Sequence, residues 1–185
     1  MTEALHERLR FDTAIGAVHD ATRRYVLLRT DVLMGLFAEL PEPARSEALR
    51  AFGRSVARHG ADSVKAYAAA VGTDALPPMM EGAAASLGWG RWHVDVGGSV
   101  QAAAPSIRLS VDNSPFAAAA SPAVAPVCHA VAGMLEAMAS ALWQRPAVAH
   151  ETRCRAQHGD GACQFVAMPA GLAMPPSSFA SSQSP

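Results

Sequence analysis

The sequence carries no block of like charge: 15 basic and 16 acidic residues give a formal net charge of −1. Nucleic-acid binding through phosphate neutralisation needs a basic stripe, and none is present. Cysteine is equally sparse. The three thiols, Cys128, Cys154 and Cys163, cannot all pair with one another, which excludes a complete internal disulfide framework. Residues 1–10, MTEALHERLR, are charged throughout and do not read as a secretory leader, so a cytoplasmic, reducing setting is expected. Long apolar runs are also missing. The longest, 116–128 and 130–143, are broken by prolines and by Glu136, and both fall short of the ~20 residues a membrane-spanning helix needs. A peripheral association with a membrane stays open.

What is present is enough for a core. Half of the residues are apolar, too many for a largely disordered chain. A length of 185 residues suits one domain with a tail.

The pattern predicts an α+β domain whose antiparallel sheet packs against helices, one of them long. Leu5, Leu9, Ile15 and Val18 recur at loosely helical spacing, so residues 1–23 read as an N-terminal helical segment. RYVLLR at 24–29 is short and β-rich. Thr30 and Asp31 offer a cap to the helical VLMGLFAEL, which PEP at 41–43 stops. Helical spacing runs from Ala44 to Val71 with an interruption at Gly60. Pro77 and Pro78 then open a short helix through Ala85, ended by Gly88 and Gly90. RWHVDV at 91–96 and SIRLSVD at 106–112 alternate as half-buried strands do, with GGS as a turn signal between them. NSPFA follows as a loop, and Val124 to Trp143 reads as one long apolar helix with Pro126 in its first turn. AVAHETR and ACQFVAM form two strands joined by the turn QHGDG. The main domain is thus 24–167, and the Pro-, Ser- and Ala-rich 168–185 reads as a disordered tail.

The rare thiols are not scattered. Cys154 and Cys163 flank the Gly-Asp-Gly turn, Glu151 precedes Cys154 on the same arm, and Cys128 sits near the start of the long helix. If that helix docks on the sheet to bury Val131, Leu135 and Leu142, Cys128 reaches the hairpin. Three thiolates and a carboxylate then make a closed four-ligand site, which suits structural zinc rather than chemistry. The bland alternative is three ordinary buried thiols; His158, in the turn, is the substitute should Glu151 not be a ligand.

The run from Cys128 through ETRC to GDGAC resembles the zinc-binding module of the 4-vinyl-reductase domain family. That family occurs in bacteriochlorophyll biosynthesis and in the sensor halves of phenol- and toluene-responsive transcription activators. DNSPFA at 112–117 resembles its loop before the long helix. RYVLLRTDVLMGL and HGADSVKAY resemble the free-standing bacteriochlorophyll branch, and the likeness spans about residues 24–167. The resemblance implies zinc on Cys128, Glu151, Cys154 and Cys163, and an apolar pocket between the sheet and the long helix.

Within that implied pocket the helix offers Ala132, Leu135 and Ala139, and the strand before Glu151 offers Ala147 and Ala149. The Ala-rich 81–86 and 116–120 leave room nearby, or simply allow close packing. Trp89, Trp92 and Met79 are placed to stack on a flat ligand, or to fill the core. A magnesium tetrapyrrole would want an axial donor, for which His129 is preferred over His93 and His150, and cations such as Arg29, Arg91 or Arg108 for its propionates. Glu136 is expected at a solvated edge.

The expected function is binding of divinyl magnesium-porphyrin or chlorophyllide intermediates and their delivery to bacteriochlorophyll-pathway enzymes, promoting 8-vinyl (4-vinyl) reduction. A true reductase using an external electron donor and a small-aromatic sensor are the alternatives. GWGRWH at 88–93 lacks the third glycine of a dinucleotide fingerprint and opens a strand. Thiols committed to zinc leave none for an iron–sulfur cluster, so the residues do not decide whether the protein is an enzyme. Because related sensor domains associate through N-terminal elements, a homodimer through residues 1–23 is expected.

Overall fold

The computed structural model describes residues 5–97 and 105–172. A one-turn helix, α1 (Leu5–Arg8), leads into β1 (Arg10–Asp12), β2 (Ala17–Asp20) and β3 (Arg23–Tyr25), an antiparallel meander. This corrects the helix expected over residues 1–23, of which 1–4 lie outside the described residues. The physical reason is Asp12. Its Oδ1 accepts from the backbone N–H groups of Ala14 and Ile15 at 3.0 and 3.2 Å. This side-chain-closed turn competes with helix, and Gly16 completes it at φ +64°. Phe11 then pairs with Val18 across the ladder. The strand expected at 24–29 is likewise cut short. Pairing ends at Tyr25, and Val26, Leu27 and Leu28 stand 83%, 68% and 56% exposed.

Helices α2 (Thr30–Ala38), α3 (Ala44–Val71) and α4 (Leu76–Ser86) follow the expected order. Gly60 does not interrupt α3. It lies against α6 (His129–Trp143), where an added Cβ would come within 2.9 Å of the Met134 side chain. The glycine answers a packing need rather than ending a helix. Pro77 and Pro78 occupy the first turn of α4, where their missing N–H groups cost nothing.

The main sheet has the order β4-β5-β7-β6 and is antiparallel throughout, built from β4 (Arg91–Gly97), β5 (Ser106–Asp112), β6 (Ala147–Arg153) and β7 (Cys163–Pro169). The GGS turn expected between β4 and β5 lies outside the described residues. NSPFA is not a plain loop: Ser114 Oγ accepts from Ala117 N–H at 3.4 Å and caps α5 (Pro115–Ala120). Helix α6 begins at His129 rather than Val124, so Pro126 precedes it. The hairpin connection holds a single helical turn, α7 (Arg155–His158), closed by Gly159 at φ +83°. β7 runs on through Pro169, past the expected start of the tail; residues 173–185 are outside the described ones.

The core lies between α6 and the sheet. Val131, Leu135, Met138 and Leu142 of α6 are buried with Ile107, Leu109 and Phe165, each worth roughly 1.5–3 kcal/mol of apolar burial. The long α3 crosses α6 on its other side at two glycines. A Cβ on Gly133 would lie 2.1 Å from the Gly53 carbonyl oxygen, so the helices meet backbone to backbone. No helix among the described residues is long and apolar enough to cross a membrane.

Candidate functional site

Four donors converge where α6 begins. Cys128 is the residue ahead of the first turn of α6, Glu151 lies on β6, Cys154 follows it, and Cys163 opens β7. Residues three apart on a regular strand face opposite ways. Here the register shifts between Glu151 and Arg153, with Thr152 as the extra, exposed residue. That bulge resets the alternation and brings Glu151 and Cys154 to one site.

The three sulfurs and a Glu151 oxygen all lie within 4.8 Å of one another. Cys128 Sγ and Cys163 Sγ are 3.7 Å apart, close to the ~3.8 Å spanned by two metal–sulfur bonds of ~2.3 Å at a tetrahedral angle. Glu151 Oε2 accepts from Cys128 N–H at 2.9 Å. Its other oxygen is buried with no protein partner, a costly condition that a cation relieves. These residues fit a metal ion, and the cluster can hold one.

The charge arrangement agrees. The thiols of Cys128 and Cys154 donate toward Cys163 and push it down to about 4, while the same bonds hold Cys128 far above the ordinary thiol range. Burial, followed by the Cys154 charge, pushes Glu151 up to about 8. The ion-free site thus tolerates little negative charge, whereas a dication would stabilise all four donors as anions. Ser114 Oγ at 3.3 Å from Cys128 Sγ, and Arg155 N–H at 3.4 Å from Cys163 Sγ, are placed to donate to thiolates. His158 is exposed at the end of α7 and takes no part in the cluster.

A second feature lies on the far side of α3. A cavity of about 550 Å³ is walled by β3, α3, α4, Trp89, Trp92 and Met134. Its floor is apolar and buried, with Val64, Met80, Ala83, Ala84 and Trp92. Trp92 Nε1 donates to the Trp89 carbonyl at 3.2 Å, and Trp89 stands edge-on to Phe116 with centroids 5.3 Å apart, which fixes both indoles. Glu81 Oε1 accepts from Val94 N–H at 2.7 Å and fastens α4 to the sheet. Tyr25, Tyr67, Ser55, Ser63 and His59 supply polar groups to the wall.

Trp89, Trp92 and the alanines of 81–86 therefore line a cavity, but the other expected lining residues do not join them. Leu135 and Ala139 are wholly buried in the closed core, where α6 meets the sheet without a gap. Ala132, His129, Ala149, His150 and Glu136 border a smaller crevice between α3, α6 and β6. His129 there is held below its ordinary pKa by burial and by the Arg50 charge. Met79 only packs against the core, and its neighbour Met80 takes the cavity position. Arg29, Arg91 and Arg108 pair with Asp31, Asp112 and Asp95 on exposed surface, and His93 faces Asp112 at 3.3 Å. None of these reaches the cavity.

Arg23, Arg24, Tyr25, His59, Ser63, Tyr67 and Met134 were not anticipated. The stripe His59–Ser63–Tyr67 beside Val56–Gly60–Val64, at four-residue spacing on one face of α3, is the signal that points to them.

The fold and site define an α+β domain that combines a four-donor clamp with an apolar chamber. Residues 107–169, from β5 through β7 and including all four donors, match the family model of the vinyl-4-reductase (V-4-R) domain. Among solved structures, the phenol-responsive sensory domain of the transcription activator PoxR, with phenol, aligns at a TM-score of 0.75 and 24% identity. The alignment covers 89% of this chain and 86% of that one; the likeness is one of fold. A vinyl-4-reductase family protein from Methanocaldococcus jannaschii aligns at a TM-score of 0.47 and 16% identity, over 75% of this chain and 88% of that one. No curated protein matches the chain significantly.

Proposed function

We propose that the protein is a ligand-binding domain that encloses a flat, apolar small molecule in the Trp89/Trp92 cavity and reports or presents it without transforming it. The observation that carries this reading is the cavity itself. Its volume of about 550 Å³ falls within the range of roughly 300–1,000 Å³ typical of small-molecule sites. Its buried apolar floor faces polar groups gathered at one end, the pattern that orients a ligand. The solved domain of similar fold is described as phenol-responsive and holds phenol, which supports an aromatic ligand here. The small-aromatic sensor reading is therefore the one we favour.

The carrier reading, for magnesium tetrapyrroles delivered to bacteriochlorophyll-pathway enzymes, stands second. The small side chains of Ala83 and Ala84 in the floor favour it, because they admit a broader ligand than a single ring. Both readings place zinc on Cys128, Glu151, Cys154 and Cys163. The soft thiolate donors select zinc over harder cations, and when bound it would supply a redox-silent crosslink between α6 and the final hairpin. We also propose a cytoplasmic location, where thiols remain reduced. The exposed apolar residues Phe11, Ile15 and Val26 to Leu28 support a homodimer through the N-terminal elements.

Calorimetric titration with phenol, naphthalene derivatives and a chlorophyllide, alongside absorption spectra of the pigment, tests the reading. Saturable binding that weakens in Trp92→Ala and Ala84→Leu is expected. Absence of binding by any of these, or turnover of a divinyl pigment with NADPH, refutes it.

A further inference from the structure

We infer that the ligand of the Trp89/Trp92 cavity is an apolar anion: a flat hydrophobic body bearing a carboxylate at the cavity mouth. The inference rests on the reading of this cavity as a ligand site and specifies its chemistry. Arg23, Arg24 and His59 belong to the wall, and no Asp or Glu does.

The two arginines are consecutive on β3, and neither forms an ion pair among the described residues. Their only hydrogen bonds are long ones to carbonyls: Arg23 Nη2 to Asp62 O at 3.4 Å, and Arg24 Nη2 to Gly16 O at 3.5 Å. Elsewhere arginines are matched with acids. Arg8 is held by Asp20, Arg91 by Asp112 and Arg153 by Asp160, each at 2.9 Å or less. The acid nearest in register to Arg23 is Asp20, opposite it across the β2–β3 ladder. Arg8 already grips both of its oxygens, at 3.2 and 2.8 Å. Cationic capacity at the mouth is therefore left for something that enters from outside.

The floor sets the rest of the ligand. Val64, Met80, Ala83, Ala84 and Trp92 are each 7% exposed or less and offer no charge partner, so the anionic group must sit at the guanidinium end with the apolar body inward. A guanidinium fork suits a planar carboxylate better than a neutral hydroxyl. A neutral phenol would leave both arginines without a counter-charge.

The test uses the full chain loaded with zinc and two isosteric probes, 2-naphthoate and the neutral 2-naphthamide, in calorimetric titrations at low salt. Naphthoate is expected to bind about tenfold tighter, a margin in keeping with two partly exposed charge-assisted contacts. That margin should shrink toward parity at about 0.5 M NaCl, where screening is strong. It should also vanish in Arg23→Gln/Arg24→Gln while naphthamide affinity holds. Equal affinity for the two probes, or a salt-independent margin, overturns the inference and leaves the cavity reading intact. Failure of both probes to bind overturns the two together. The salt series on the unaltered protein decides the matter even if the double variant does not fold.

Discussion

Replacing Gly133 with alanine is the sharpest test of how the two long helices meet. The added Cβ would lie 2.1 Å from Gly53 O, 2.9 Å from Gly53 C and 3.1 Å from Ala57 N. Those atoms are backbone within a 28-residue helix, so no side-chain rotation relieves the overlap. Ordinary contact begins near 3.4 Å, and α3 and α6 must part by about 1 Å. Overpacking of this kind costs roughly 3 kcal/mol at the upper end of its usual range. The better helix propensity of alanine returns about 1 kcal/mol, which leaves a net loss of roughly 2 kcal/mol. For a chain of this size that is a fall of about 4–8 °C in Tm. Gly82→Ala serves as the control: it lies in a helix with nothing within 4 Å of the added Cβ, and it should stabilise by about 1 kcal/mol. Thermal and urea unfolding of both variants, with zinc held constant, gives the comparison. A Gly133→Ala protein as stable as the control would show that the helices do not cross at this distance.

Three further outcomes are expected. Arg8→Ala strands Asp20, whose side chain is only 8% exposed, and should cost about 2–3 kcal/mol in urea unfolding, the lower end for breaking a buried pair; a loss under about 0.5 kcal/mol contradicts it. Cys163→Ser should reduce zinc from about one ion per chain to a small fraction by elemental analysis, with a matching loss of thermal stability; unchanged zinc content sinks the proposed ligand set. Glu136 is half-buried, and burial holds its carboxyl above the ordinary value of 4.5, so ionisation favours the unfolded chain as pH rises from that value through the raised one. Glu136→Gln should therefore match the parent near pH 4 and exceed it in stability at pH 7; the opposite ordering in paired urea titrations refutes the sign.

Much of the metal cluster is legible in the sequence because its residues are rare and its turn is explicit. Two of three cysteines bracket Gly-Asp-Gly, and a helix with Val131, Leu135 and Leu142 on one face has to dock on the sheet, which carries Cys128 to the hairpin. The alternation of 91–96 and 106–112 is equally direct, since each strand has one buried face. The N-terminal meander is less legible. Four apolar residues fit helical spacing, and what decides against it is a single Asp12 oxygen taking two backbone donors. The cavity is the hardest part to foresee. Its walls come from β3, α3, α4, the Trp89–Trp92 turn and one methionine of α6, elements whose mutual placement depends on tertiary packing. Gly60 illustrates the difficulty: along the chain it reads as a helix breaker, yet it is the point where Met134 fits against α3.

One helix links the metal cluster to the cavity. Cys128 precedes the first turn of α6, Gly133 lies in backbone contact with Gly53, and Met134 is part of the cavity wall. A loose crossing would absorb a ligand's push on Met134 locally. A crossing with no room for a methyl group cannot, because close-packed elements shift as rigid bodies. Displacement at Met134 should then be carried along α6 toward Cys128, and loosening of the cluster should be felt in the cavity. Stripping the metal with a chelator is accordingly expected to weaken naphthoate binding several-fold by calorimetry, within the range of about 5–150-fold usual for coupled sites. Because such coupling is reciprocal, naphthoate should in turn slow zinc loss to the chelator. Binding that is indifferent to the metal, in protein whose fold survives its removal, would mean that α6 flexes between the two sites and that cluster and cavity act independently.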